Sequence, residues 1–132
     1  MRLMHTMIRV MDMKESIRFY SECLGMRVLR RLGEDDGKEV VFIGYGEEES
    51  TSVLELTYAP DKKQYVRGEY FGHLAIGVPN VDDMFQRLCE AGAKPLKPPR
   101  WKDGELLASV EDPNGYKIEL IGDGPTISGV HP

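Results

Sequence analysis

The chain has 132 residues, 41% of them hydrophobic and 30% charged, an ordinary composition for a soluble globular protein. That length suits one compact domain or two small modules sharing a core, and excludes two large independent domains. A net charge of −5 argues against a nucleic-acid partner, and no apolar run reaches a membrane-spanning length.

The first strand is expected at His5 to Val10, where apolar and polar residues alternate. Asp12 then offers an N-cap, and Met13, Ile17, Tyr20 and Leu24 form the apolar stripe of a helix closed by Gly25. Strands follow at Met26 to Arg30, Val40 to Tyr45 and Ser52 to Tyr58, with Gly46 to Ser50 as a solvated acidic loop. Residues 60–72 read as a linker.

Beyond it the pattern repeats. His73-Leu74-Ala75-Ile76-Gly77-Val78 matches His5-Thr6-Met7-Ile8-Arg9-Val10 at His, Ile and Val. Asn80 takes the place of the first N-cap, and Val81, Met84, Phe85, Leu88 and Cys89 form a second amphipathic helix ending at Gly92. A short strand limited by proline is expected at Ala93 to Leu96, then strands at Leu106 to Glu111 and Tyr116 to Ile121. Asp112-Pro113-Asn114-Gly115 between the last two is a hairpin turn signal. The fold class is therefore α+β: a βαβββ module over 1–59, the linker, a second βαβββ module over 73–122, and a loose tail over 123–132.

Each module opens with a histidine and closes with a glutamate: His5 with Glu55, His73 with Glu119. Glu55 lies between Leu54 and Leu56, and Glu119 between Ile118 and Leu120, so alternation turns both carboxylates away from the apolar face. An ionised carboxylate on a buried surface is costly unless it is paired or binds a metal. Two imidazoles and two carboxylates suit Zn²⁺, Ni²⁺, Co²⁺ or Fe²⁺ better than Mg²⁺ or Ca²⁺.

Several further residues carry weaker signals. Cys23 and Cys89, without CxxC spacing, are expected to be small buried hydrophobes in a reducing, cytoplasmic setting, and no secretory leader is visible. His131 is expected to be solvated. Trp101, between Arg100 and Lys102, reads either as a lid over a pocket or as a surface aromatic.

The segments HTMIRVMDMKESIRFYSECLGMRVLR, FIGYG, VLELTY, GHLAIGV and EDPNGYKIEL, within residues 5–121, resemble the short bacterial form of glyoxalase I in the vicinal oxygen chelate superfamily. The resemblance implies paired βαβββ modules forming a curved mixed sheet, in a homodimer whose sites lie between modules of different subunits. It implies one divalent metal per site, held by His5, Glu55, His73 and Glu119, with Ni²⁺ favoured over Co²⁺ or Zn²⁺. The implied reaction isomerises the hemithioacetal of methylglyoxal and glutathione, or another thiol, to S-lactoylglutathione through an enediolate, detoxifying methylglyoxal. Glu119 is the implied proton-abstracting base and Glu55 its counterpart. Arg9 matches the family's carboxylate-binding arginine, and Lys102 offers a second cation for the substrate. One departure stands out: the family commonly places Asn after ELTY, where this chain has Ala59, so the thiol's identity stays open. The alternatives in the same fold are a thioester epimerase resembling methylmalonyl-CoA epimerase, an extradiol dioxygenase, and a non-catalytic antibiotic-binding protein of the bleomycin-resistance type.

Overall fold

The computed structural model describes residues 1–122; the expected loose tail and His131 lie outside them. The chain divides into two compact units, Met1–Arg67 and the part from Gly68 onward. No helix among the described residues is long and apolar enough to cross a membrane.

In the first unit β1 (His5–Val10) is followed by α1 (Met13–Ile17), a π-helical stretch (Arg18–Cys23), β2 (Arg27–Gly33), β3 (Glu39–Gly44) and β4 (Val53–Tyr58). The strands order as β1-β4-β3-β2, with β1 parallel to β4 and the other pairs antiparallel. The second unit repeats this plan. It runs β5 (Leu74–Val78), α2 (Val81–Glu90), β6 (Lys94–Lys102), β7 (Glu105–Glu111) and β8 (Lys117–Gly122), ordered β5-β8-β7-β6. Again the first and last strands are parallel neighbours. Each expected βαβββ module is present with a four-stranded mixed sheet of its own.

The local reasons are those of the sequence. Asp12 and Asn80 are extended N-caps, accepting from the backbone N–H of Glu15 and Asp83, each at 3.0 Å. Gly25 and Gly92 adopt left-handed φ values of 78° and 97°, which a Cβ would disfavour. One face of each sheet carries the core: Ile8, Val10, Val41, Ile43 and Leu56 in the first unit, Ile76, Val78, Val110, Ile118 and Leu120 in the second. Burying each such side chain stabilises by about 1.5–3 kcal/mol.

Three expectations need correction. The first helix is not uniformly α: Leu24 N–H donates to the carbonyl of Phe19, five residues back, at 3.1 Å. This wider turn brings Phe19 and Tyr20 both inward, edge to face at 5.1 Å, and leaves Ile17 half-buried. Strand β6 runs nine residues rather than stopping at Leu96, because Pro95, Pro98 and Pro99 sit on an edge strand whose register shifts around Lys97. The loop 46–50 is solvated as expected, with Glu47, Glu49 and Ser50 exposed, and is also tied down: Arg2 donates to the carbonyls of Thr51 (3.0 Å) and Glu48, and Arg27 pairs with Glu47 at 3.3 Å. Cys23 and Cys89 are half-buried rather than buried, both free, and Arg18 Nη1 donates to Cys23 Sγ at 3.7 Å.

Candidate metal centre

In the first unit His5 stands opposite Val53, and Glu55 follows two residues later on the neighbouring strand. Leu54 and Leu56 are buried on the core side, so Glu55 and Thr57 rise from the open face. Thr57 Oγ1 donates to Glu55 Oε2 at 3.4 Å. Phe42, opposite Glu55 on β3, meets the His5 ring edge to face at 5.4 Å. The guanidinium of Arg30 lies 4.0 Å from the centre of the same Phe42 ring. Glu48 accepts from Arg30 in bidentate fashion at 2.8 and 3.0 Å. Those hydrogen bonds hold the Glu48 carboxyl below its ordinary range, with a small further contribution from His5. Glu48 in turn raises Arg30, to which Glu55 also contributes. Arg9, opposite Thr57, lies over the Tyr65 ring at 5.9 Å.

The second unit repeats the arrangement. Leu74 pairs with Ile118 and Ala75 with Glu119, so one step back sets His73 opposite Lys117, with Glu119 again two residues on. His73 Nε2 lies 3.6 Å from Glu119 Oε1, and the side chains are 42% and 17% exposed. Ser109 on β7 stands directly across from Glu119. Lys102 ends β6, exposed, before a tight turn in which Asp103 and Gly104 both have positive φ (52° and 84°). Trp101 belongs to strand β6 rather than to a loop, and is 41% exposed.

Two atoms bound to one cation at roughly 2.1 Å each stand at most roughly 4.2 Å apart. The His73–Glu119 separation falls inside that limit, and an imidazole with a carboxylate is donor chemistry that divalent transition metals accept. Among the described residues no group of three or more His, Cys, Asp or Glu side chains able to hold a metal is gathered. Each module carries one histidine and one glutamate at matching register positions.

A cavity of about 610 Å³ opens on the helix side of the first unit, lined in part by Met13, Lys14, Arg18, Arg31, Glu39 and Tyr58. It contains neither His5 nor Glu55, and two of its acidic residues already have partners: Asp12 caps α1 and Glu15 pairs with Arg18 at 3.2 Å.

Sequence reasoning passed over Arg30, Phe42, Glu48, Tyr65 and Ser109. Phe42 was accessible from alternation, since its neighbours Val41 and Ile43 face the core. Arg30 was not, because the register of β2 shifts between Val28 and Arg30 and no spacing rule marks the bulge.

The family model described as "Glyoxalase/Bleomycin resistance protein/Dioxygenase superfamily" matches residues 2–120. A protein from Synechocystis sp. named "Probable lactoylglutathione lyase" is 42% identical, over 92% of this chain and 95% of its own length. The lactoylglutathione lyase of Salmonella typhimurium is 41% identical, over 92% of each chain. Among solved structures, the trypanothione-dependent glyoxalase I of Leishmania major superposes with a TM-score of 0.83 at 41% identity, covering 92% of this chain and 86% of that one.

Proposed function

The chain belongs to the glyoxalase/bleomycin resistance protein/dioxygenase superfamily, and from that premise we propose that it works as a metal-dependent glyoxalase I. It isomerises the hemithioacetal of methylglyoxal and glutathione to S-lactoylglutathione, which detoxifies methylglyoxal. The observation that carries this reading is the His–Glu pair repeated in one register in both modules.

The metal ligands in this reading are His5, Glu55, His73 and Glu119, two from each module. When bound, the metal supplies Lewis acidity for the oxyanion that develops on the substrate. Glu119 removes the carbon-bound proton of the hemithioacetal and returns it to the neighbouring carbon; Glu55 is its counterpart across the site. The partial burial of Glu119 limits competition from water for that proton. Arg9, braced over Tyr65, presents its guanidinium to a carboxylate of the thiol, and Lys102 offers a second cation. Nickel is the favoured metal, with Co²⁺ and Zn²⁺ next, and the working form is a cytoplasmic homodimer.

The test is the growth of thioester absorbance when methylglyoxal and glutathione meet metal-free protein to which Ni²⁺, Co²⁺ or Zn²⁺ is then added. A metal-dependent rise with lactoylglutathione as product is expected. No rise with any of the three, while the protein binds them, overturns the assignment.

A further inference from the structure

Ser109 is the one serine in the apolar run Leu106-Leu107-Ala108-Ser109-Val110, and it is 1% exposed. Its hydroxyl is buried without a hydrogen-bond partner among the described residues. Such a group is disfavoured in a core, and a site that moves during a reaction is one of few reasons for keeping it.

Ser109 pairs with Glu119 across the antiparallel β7–β8 ladder, so both side chains rise from one face, with Cβ atoms about 4.5–5.5 Å apart. On the other flank of Glu119, strand β5 brings His73, whose Nε2 lies 3.6 Å from Glu119 Oε1. The carboxylate therefore stands between an imidazole and a hydroxyl. In the observed arrangement it is near the imidazole, and the hydroxyl is left unpaired.

We propose that Ser109 is a positioning residue for Glu119, receiving the carboxylate when its side chain turns from the His73 flank toward β7. The inference rests on the reading of Glu119 as the base. In that role Glu119 breaks a C–H bond of the substrate and forms an O–H bond, then gives the same proton to the adjacent carbon. A hydroxyl donates to the carboxylate before the transfer and accepts from the carboxyl after it, so one contact serves both states. A methyl group at this position offers neither.

The experiment compares Ser109→Ala and Ser109→Thr in the metal-loaded enzyme. Ser109→Ala removes an unpaired buried donor, so its Tm stays level or rises. Its kcat for the hemithioacetal falls roughly tenfold, about 1.4 kcal/mol, with KM and calorimetric Ni²⁺ affinity unchanged. Ser109→Thr, which keeps the hydroxyl, recovers most of kcat. A wild-type kcat in Ser109→Ala overturns the proposal. So does a joint loss of Tm, Ni²⁺ affinity and kcat, which marks a packing role. An inactive wild-type enzyme instead defeats the reading of Glu119 itself, and is seen before either variant is made.

Discussion

Glu119 and Gln have nearly the same volume, so Glu119→Gln separates chemistry from packing. The substitution removes the proposed base, and kcat is expected to fall by about 10²–10⁴-fold with Tm unchanged by circular dichroism. Ala59 bears on substrate choice. If glutathione is the thiol, Ala59→Asn restores the side-chain amide that related enzymes place after ELTY, and KM for the glutathione adduct is expected to drop several-fold. An unchanged KM points to a different thiol. Glu48 makes a modest contribution to acid stability through Arg30. Its carboxyl titrates below the ordinary range in the folded protein, so the pairing contributes fully above that range and is lost as pH falls through the lowered value. Wild-type Tm therefore declines more steeply than that of Glu48→Gln across the acidic range, measured as Tm against pH. At this scale the sequence was most informative where a residue type recurs: His5 with His73, Glu55 with Glu119. It was silent on Arg30 and Ser109, whose roles depend on strand neighbours that no local pattern reveals.

The β7–β8 hairpin fixes Ser109 and Glu119 in register, and its turn is held by one carboxylate. Asp112 Oδ1 accepts from the N–H groups of Asn114 (2.8 Å) and Tyr116 (2.9 Å), and the residue is buried. Asp112→Ala leaves those donors without this partner and is expected to destabilise by about 1–3 kcal/mol in chemical denaturation. Leu120, fully buried on the core face beside Glu119, is expected to cost about 2–5 kcal/mol on truncation to Ala. Among the described residues, the caps, both helices and seven of the eight strands were legible from periodicity and turn residues. The π-helical stretch was not, because α and π turns share the same apolar spacing over so short a span. The full length of β6 was hidden by three prolines, which signal a break in a central strand but are tolerated at an edge.

For the whole molecule, duplication is what made the fold readable. Each module builds the same four-stranded sheet and the same His–Glu register, so one accidental pair became two that agree. The same duplication limits what a single module can do, since two donors make a weak site. The most direct measurement is calorimetric titration of metal-free protein with Ni²⁺, for the wild type and for His5→Ala and Glu119→Gln. One ion per chain is predicted, with a loss of affinity of tenfold or more whichever module carries the substitution. Full affinity in His5→Ala would contradict the proposed set of four ligands.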